Sequence, residues 1–323
     1  MYEVYDNWPK ISEESFQSKL NPIDFGNLKH IIFAGMGGSG AIGDMFSSIL
    51  SKSKIHVNVV KGYVLPKTVD SETIVIVTSV SGNTVETLSI LESAKKIGCK
   101  IVAFSSGGKI KEYCSKNGIE HRTVQKYHSP RASFTSYLYS ILKVLHSTLR
   151  IKVEDILESI SELKKLNLKI NSTNLTGSNS SLNLAKWITG IPVIYYPYGL
   201  QSAANRFKSS LQENCKIHVM TEDILETCHN GIVSWERESI VNPILIIGKD
   251  DHMKTKERGR IIKDYFKQRN IDYSEIVSID GSILSKLINL IYFSDFVTIY
   301  KSIIDEIDPS PVDSIDFIKS RHS

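Results

Sequence analysis

The stretch HIIFAGMGGSG, residues 30–40, joins a short apolar run to four glycines and a serine. The β-branched run predicts a buried strand, and residues 41–50 after the glycines predict a helix. Glycines between a strand and a helix let the backbone turn sharply and approach an anion closely. Exposed N–H groups and the dipole at the start of the helix add a positive field. The stretch therefore predicts an anion-binding loop.

A second loop of this kind, SVSGNT at residues 79–84, follows the apolar run 73–78 and precedes a helical pattern over 85–96. Its hydroxyl groups, at the first, third and sixth positions, can converge on one phosphate at a helix N-terminus. We expect the last residue, Thr84, also to cap the first turn of that helix.

Two other interpretations of the loops remain open at this point. Gly35, Gly37 and Gly40 fit the G-x-G-x-x-G spacing of a dinucleotide site, but residues 55–66 offer no acidic residue to hold a ribose. The hydroxyls of the second loop can also serve only as helix caps. Two such loops in one half of the chain favour a phosphate site.

Strand-like and helical segments alternate along both halves of the chain, which predicts parallel sheets covered on both sides by helices. The expected strands are residues 30–34, 55–60, 73–78 and 100–104, then 191–196, 216–220, 244–248 and 275–279. Helices are expected at 151–170, 201–213, 255–269 and 282–307, with a polar loop at 171–181. The simplest reading is α/β, with two doubly wound parallel-sheet subdomains over residues 1–150 and 151–323.

Composition excludes several classes of protein. The 323 residues are 41% hydrophobic and 23% charged, and the net charge of +4 is too small and dispersed to indicate nucleic acid. Four scattered cysteines show no CxxC or metal-finger spacing, which is typical of reduced thiols. The N-terminus MYEVYDNWPK does not resemble a signal peptide, and no 18 apolar residues run together. We expect a cytoplasmic protein with no nucleic acid and no membrane partner.

GMGGSG followed by S-x-SGNT resembles the sugar isomerase (SIS) domain, a phosphosugar-binding fold of flavodoxin-like type. Over nearly its whole length the chain is similar to the bifunctional phosphoglucose/phosphomannose isomerases. The resemblance implies that the phosphate and sugar contacts are Gly38, Ser39, Ser79, Ser81 and Thr84. Relatives usually carry Tyr where this chain has Val80, a change that leaves the hydroxyls intact.

The same resemblance implies a catalytic base. Residues 206–216, RFKSSLQENCK, match the family pattern around the glutamate that shuttles a proton between C1 and C2. Glu213 occupies that place, although a carboxylate at a helix end is more often simply solvated.

Three further residues match catalytic positions of the family. His229, in ETCHNG, would accept and return the proton of the ring hydroxyl, and Lys319 would help to open the ring. Arg131, which follows Pro130 and is expected to start a helix, would face the negative charge of the enediolate. Relatives usually read HNE where this chain has Gly231, so a carboxylate that could orient the histidine is missing, and Asp223 or Glu226 could substitute. Surface positions are the ordinary alternative for all three catalytic candidates.

No metal or other cofactor is expected, because Asp250, Asp251 and His252 form a single polar loop without a second cluster. The leading hypothesis is an aldose–ketose isomerase that interconverts glucose 6-phosphate and mannose 6-phosphate with fructose 6-phosphate through a cis-enediol. The alternatives are a non-catalytic SIS sensor of sugar phosphates and a different phosphosugar isomerase of the same fold. By the resemblance, we also expect a homodimer with a shared active site, to which the partner subunit contributes the histidine.

Overall fold

The computed structural model describes residues 1–26 and 28–321, and this part of the chain divides into two compact units. The first unit contains Glu3–Lys165 together with Gly281–Ile288. The second contains Leu166–Asp280, the chain from Asn289 onward and the first two residues. The division lies after Lys165, so the boundary expected after residue 150 falls inside the first unit.

The first unit is built on a five-stranded sheet in which every pairing is parallel. Its strands, in the order β2-β1-β3-β4-β5, are β1 (His30–Ala34), β2 (His56–Val60), β3 (Ile74–Ser79), β4 (Lys100–Ser105) and β5 (Glu120–Thr123). This is the flavodoxin-like strand order. The helices of this half are α1 (Tyr2–Asp6), α2 (Trp8–Phe16), α3 (Gly37–Ile49), α4 (Val85–Ile97), α5 (Gly108–Asn117), α6 (Phe134–Leu149) and α7 (Val153–Ile170).

The second unit repeats the arrangement with four parallel strands in the order β7-β6-β8-β9. They are β6 (Ile191–Tyr196), β7 (Met220–Asp223), β8 (Val241–Ile247) and β9 (Ser274–Val277). The helices of this half are α8 (Ser180–Trp187), α9 (Gln201–Ser210), α10 (Ile224–Thr227), α11 (Met253–Gln268), α12 (Ile283–Ile304) and α13 (Asp313–Lys319). Two doubly wound parallel sheets confirm the predicted fold class.

Central strands are apolar on both faces because helices cover both sides of a parallel sheet. All six residues of β3 are buried, and Val75 and Val77 pack with Leu91 of α4. In the second unit, Tyr195 packs in one cluster with Trp235 and Phe266, and the Trp235 Nε1–H donates to the Tyr195 hydroxyl at 2.9 Å. The carboxyl ends of the strands, where the predicted loops begin, are thus held on a rigid base.

One local feature, a π-helical turn, changes the limits of two predicted elements. The helix expected at 201–213 ends as an α-helix at Ser210 and continues as a π-helical turn, Leu211–Cys215. Lys216 then adopts a left-handed backbone, with φ of 58°, which ends the helix. The strand expected at 216–220 consequently begins only at Met220, where it pairs with β6.

Helix α12 is the one described helix that is long and apolar enough to span a membrane by length and composition. Its mean hydropathy over an 18-residue window is 1.3, yet 83% of that window is buried inside the protein. A core helix has these same properties, and the buried polar residues Asp295 and Thr298 within it point the same way.

Candidate active site

The first glycine loop is tightly packed and forms the start of α3. The helix begins at Gly37, four residues before the predicted start, so the glycines lie in its first turn. A side chain at Gly35 would lie 2.9 Å from the Thr78 carbonyl oxygen, and one at Gly40 would lie 2.8 Å from that of Gly35. No side chain caps the helix, so its first-turn N–H groups carry the positive end of the dipole without a side-chain acceptor.

Gly38 brings this loop against the turn that carries Arg131. A Cβ at Gly38 would lie 3.3 Å from the carbonyl of Pro130 and 3.4 Å from the Arg131 nitrogen. Arg131 is only 3% exposed and precedes α6, which starts at Phe134. The surface alternative for Arg131 is therefore wrong, as is its expected place at the start of a helix. The structure joins two of the predicted site segments here.

The second loop is held by its own hydroxyl groups. The hydroxyls of Ser79 and Thr84 lie 2.9 Å apart, and the Gly82 N–H donates to the Ser79 Oγ at 3.1 Å. Thr84 stands at the N-cap of α4, but its side chain makes no capping hydrogen bond to the first turn, so the expected cap is wrong. Ser81 is exposed, and its Oγ accepts from the Asn83 N–H at 3.2 Å.

The turn at the end of β4, which contains Gly107 and Gly108, contacts the second loop. A Cβ at Gly82 would lie 2.7 Å from the carbonyl carbon of Gly107, so only glycine fits there. The Asn83 Oδ1 accepts from the Lys109 N–H at 3.0 Å, and the Gly82 carbonyl accepts from Ile110. These contacts fix the loop before any ligand binds, which lowers the ordering cost of binding.

Val80, where relatives usually have Tyr, is buried between these loops. Its carbonyl oxygen accepts from the hydroxyls of Ser106 at 2.7 Å and Tyr137 at 3.3 Å. Burial raises the pKa of the Tyr137 hydroxyl, so this donor keeps its proton. The loop backbone is thus fixed by neighbours rather than by the residue that the family usually carries.

His121 on β5 lies behind the same turn. Its Nε2 is 2.8 Å from the Ser105 Oγ, which donates to the Gly107 carbonyl. Burial is the main cause that lowers the pKa of the His121 imidazole. A neutral ring at physiological pH therefore supports the Gly107 turn.

A cavity of about 960 Å³ in the first unit lies away from both loops. It is bordered by the segments before β1 and β2 and by the end of α3, at the amino-terminal edge of the sheet. In open α/β sheets, ligands bind at the carboxyl ends of the strands. The two loops, and not this cavity, have the expected location for the site.

Glu213 lies on the π-helical turn after α9. Its side chain is half-buried, whereas its neighbours Leu211, Asn214 and Cys215 are buried. Burial raises the pKa of the Cys215 thiol to about 12, so that thiol is not a nucleophile at neutral pH. Single π-turns occur often at functional sites.

Lys216 ties this turn to the C-terminal segment. Its ammonium donates to the backbone carbonyls of Glu213 and, at 2.7 Å, Pro311. Pro311 lies just before α13, which ends at Lys319. Lys319 itself is exposed, and α13 has no buried residue.

His229 is exposed in the turn after α10, with its N–H donating to the Glu226 carbonyl at 2.9 Å. Both proposed substitute carboxylates are already hydrogen-bonded to other groups. Asp223 caps α10 by accepting from Leu225 and Glu226, and the Glu226 side chain accepts from Asn230.

A carboxylate that the sequence did not single out lies next to this turn. Glu222, at the end of β7, places its Cδ 2.7 Å from where a Cβ of Gly231 would stand, with both oxygens also in that space. The Glu222 carboxylate therefore takes the space that a side chain at position 231 would need, and such a side chain would displace it. No sequence pattern signals this, because the contact joins a strand to a turn.

The polar loop Asp250–His252 has a structural role. Asp251 accepts from the Gly248 N–H at 2.9 Å, and the His252 Nδ1 accepts from Lys254 to cap α11. Among residues 1–26 and 28–321, no group of three or more His, Cys, Asp or Glu side chains could hold a metal ion.

The two phosphate loops and the turn that carries Arg131 meet within the first unit. The loops follow the carboxyl ends of β1 and β3, where open α/β sheets bind small anionic ligands. Glu213, His229 and Lys319 lie on three separate segments of the second unit, and Glu213 follows a helix and precedes β7.

Comparison with known families agrees with this architecture. Residues 25–146 match the SIS domain, and residues 178–321 match the bacterial phospho-glucose isomerase C-terminal SIS domain. The C-terminal domain of glucosamine-fructose-6-phosphate aminotransferase from Francisella tularensis shares the fold, with a TM-score of 0.74 at 16% identity, covering 96% of this chain and 97% of that one. Both units therefore contain SIS domains, and the chain is a protein of the SIS-domain class.

Sequence relatives narrow the class. A bifunctional phosphoglucose/phosphomannose isomerase from Caldicellulosiruptor bescii is 32% identical over 99% of this chain and 98% of its own length. The chain belongs to the family of bifunctional phosphoglucose/phosphomannose isomerases. A D-glucosamine-6-phosphate 4-epimerase from Sulfolobus acidocaldarius is 28% identical over 72% of each chain.

Proposed function

We propose that this protein interconverts glucose 6-phosphate and mannose 6-phosphate with fructose 6-phosphate. The observation that carries the proposal is the approach of Gly38 to the backbone of Pro130 and Arg131, which places the turn of the buried Arg131 beside an anion-binding loop. An aldose–ketose isomerase needs both a phosphate anchor and a cation that balances an enediolate. Family membership supplies the reaction.

The phosphate of the substrate binds to the first-turn N–H groups of α3 and α4 and to the hydroxyls of the second loop. The contact residues in this proposal are Gly38, Ser39, Ser79, Ser81 and Thr84. Binding energy at the phosphate holds the reacting carbons in place, which raises the effective concentration of the base.

Proton transfer at the other end of the substrate is assigned to four side chains. The Glu213 carboxylate removes the proton from C2 of the aldose and returns it to C1, and the reverse for the ketose. Arg131 balances the charge that develops on the enediolate oxygen. His229 and Lys319 open the ring by taking the proton of the anomeric hydroxyl and supplying one to the ring oxygen.

The test is a coupled assay of the purified full-length protein. Fructose 6-phosphate is supplied, and glucose 6-phosphate is read through a glucose-6-phosphate dehydrogenase, while mannose 6-phosphate is quantified separately. We expect turnover to both products and uptake of solvent deuterium at C2, since an enediol exchanges its proton through the base. Glu213→Gln should lower kcat by about a hundredfold to ten-thousandfold.

A matched control separates the role of Glu213 from a general loss of a carboxylate. Glu257 on α11 has a side chain that is 47% exposed and forms an ion pair with Lys254, so Glu257→Gln should keep normal turnover. Fructose 6-phosphate should still raise the melting temperature of Glu213→Gln, because ligand binding stabilises the folded state. Near-normal activity of Glu213→Gln would remove this residue from the role of base.

Two outcomes would support other functions. A shift of the melting temperature by fructose 6-phosphate without turnover would indicate a sugar-phosphate sensor. Turnover of glucosamine 6-phosphate to its C4 epimer, with no conversion of fructose 6-phosphate, would indicate the activity named for the relative from Sulfolobus acidocaldarius.

The proposal includes a homodimer with a shared active site and a cytoplasmic location. All four cysteines are free thiols, which supports a reducing compartment. Sedimentation across a dilution series, read alongside specific activity, tests the dimer. Activity that falls as the dimer dissociates supports a shared site, and full activity of a monomer contradicts it.

A further inference from the structure

Helix α12 presents two fully buried polar side chains to the segment that carries Glu213. Asp295 and Thr298 are both 0% exposed, although the helix around them is apolar. Buried polar groups are costly unless they are hydrogen-bonded, so their partners are informative.

Asp295 binds the end of α9. Its carboxylate accepts from the Arg206 Nη2 at 2.7 Å, from the Arg206 Nε at 3.3 Å and from the Ser210 hydroxyl at 2.6 Å. Arg206 is 2% exposed, so the ion pair is shielded from water. Arg206 and Ser210 are one helical turn apart, and their shared acceptor fixes both the position and the rotation of α9 at its last residue.

Thr298 binds the π-helical turn itself. Its Oγ1 accepts from the Asn214 side-chain amide at 2.7 Å and donates to the Asp295 carbonyl at 2.8 Å. The carbonyl of Thr298 accepts from the Cys215 thiol at 3.2 Å. The two residues after Glu213 are therefore both attached to one turn of α12.

The π-helical turn links the bonds of Asn214 and Cys215 with α12 to the direction of the Glu213 side chain. An extra residue in a helical turn rotates the residues that follow it relative to those before it. With Asn214 and Cys215 facing α12, Glu213 is left half-buried while its neighbours are buried. If the turn relaxed to a regular α-helix, the direction of the Glu213 side chain would change.

We propose that Asp295 and Thr298 are positioning residues, which hold the π-helical turn so that the Glu213 carboxylate points toward the substrate. The inference rests on the proposed function, in which Glu213 is the base. Displacement of a catalytic group by about 1 Å is enough to cost about a hundredfold in rate. Thr298 acts through Asn214 and does not itself contact substrate.

The test compares two substitutions that each remove one buried hydroxyl from α12. Thr298→Val keeps the side-chain shape but removes the Oγ1 that accepts from the Asn214 amide. Ser302→Ala removes a hydroxyl that donates to the Ile299 carbonyl of the same helix. We expect Thr298→Val to lower kcat about tenfold to a hundredfold with a nearly constant KM, and Ser302→Ala to keep kcat. Thr298→Ser retains the hydroxyl and should restore most of the activity.

A second readout does not depend on activity. Alkylation of Cys215, followed by peptide mass spectrometry, reports whether the turn has left α12. In the wild-type protein the thiol is buried and should react only on unfolding. Thr298→Val should expose it in the folded protein, and Ser302→Ala should not.

The outcomes separate the inference from the proposed function. An active wild-type protein in which Thr298→Val and Ser302→Ala lower kcat equally, with Cys215 protected in both, overturns the positioning role alone. A wild-type protein that does not isomerise fructose 6-phosphate, or a Glu213→Gln variant that does, overturns the proposed function. Asp295 and Thr298 would then have no role in catalysis. If Thr298→Val does not fold, Asn214→Ser tests the same hydrogen bond from the other side.

Discussion

The carboxylate of Glu222 fills the space beside Gly231 that a side chain would otherwise take. The relation between the two residues is steric: the Glu222 Cδ lies 2.7 Å from where an ideal Cβ of residue 231 would stand. The turn that carries His229 therefore has a negative charge beside it, although it lacks the acidic residue that relatives carry in the third place. Coulombic repulsion from Glu222 also contributes to the raised pKa values of Tyr195 and Tyr196, behind the larger effect of burial.

Substitution of Gly231 by alanine should cost little stability. Gly231→Ala must displace the Glu222 carboxylate, but this group is the end of a flexible, partly exposed side chain that can rotate away. We expect a loss of about 0.5 kcal/mol or less in urea denaturation, and a smaller one in the double variant Gly231→Ala/Glu222→Ala. Gly177→Ala is the control, since nothing lies within 4 Å of a Cβ there. A loss well above about 1 kcal/mol for Gly231→Ala would show that the Glu222 side chain cannot move away.

Enlarging Gly38 should weaken substrate binding. An added methyl group presses on Pro130 and the Arg131 nitrogen, so the turn must shift by a few tenths of an ångström. We expect Gly38→Ala to raise KM for fructose 6-phosphate and to lower kcat, because the phosphate loop and the backbone of the Arg131 turn must move apart. Gly62→Ala, with open space around its Cβ, should have normal kinetics. Unchanged KM and kcat in Gly38→Ala would show that this approach does not matter for the reaction.

The hydrogen bond between Ser79 and Thr84 should contribute to phosphosugar affinity. Thr84→Val removes it while keeping the shape of the side chain, and Thr84→Ser retains it. A lost hydrogen bond of about 0.5–1.5 kcal/mol corresponds to an affinity lower by about twofold to tenfold. Calorimetric titration with fructose 6-phosphate measures this directly. Similar affinities of the Val and Ser variants would rule out a role for the hydroxyl.

The Glu158 carboxylate should make stability dependent on pH. It accepts from the Ser282 N–H at 3.0 Å and the Ser285 hydroxyl at 2.7 Å, and the first of these bonds is the main cause that lowers its pKa. Because the folded pKa is below the unfolded one, the stabilisation is complete above the unfolded value. It is lost as the pH falls through the folded value.

We therefore expect Glu158→Gln to lose about 0.5–2 kcal/mol of unfolding free energy at pH 7, as for other helix caps. The difference from the wild-type protein should shrink in acid, as followed by urea unfolding at several pH values. Glu162→Gln, which removes a surface ion pair with Lys165, is the control and should change stability by less than about 1 kcal/mol. A difference that is constant with pH would exclude the carboxylate charge as its source.

The sequence predicted the sheets well because strand and helix periods are local properties. The run 30–34 and the strand 191–196 have the expected limits. The errors arose where a distant partner decides the local structure. Ile217 and Val219 favour a strand, but the π-helical turn and the left-handed Lys216 delay β7 until it can pair with β6.

For the site, the sequence predicts the two loops and the residues that match catalytic positions of the family. It does not predict the side chains that hold those residues in place. Asp295 lies 89 residues from its partner Arg206, inside a helix whose pattern is simply apolar. The position of Glu222 beside the His229 turn likewise depends on its contact with Gly231. The sequence predicts a helix start or a helix surface for Arg131, whereas the structure buries this residue in the turn before α6. No local pattern encodes that burial.

The cap that Glu158 places on α12 also fixes an order of events during synthesis. Residues 281–288 belong to the compact unit that is otherwise complete at Lys165. Domains usually fold from the N-terminus as the chain leaves the ribosome. Here the hydrogen bond between the Glu158 carboxylate and Ser282 can form only after the whole second sheet has been translated. A nascent chain released before residue 281 would therefore have all five strands of the first sheet but would lack residues 281–288 of that unit. A chain cut between the two sheets would likewise separate this segment from the rest of its unit.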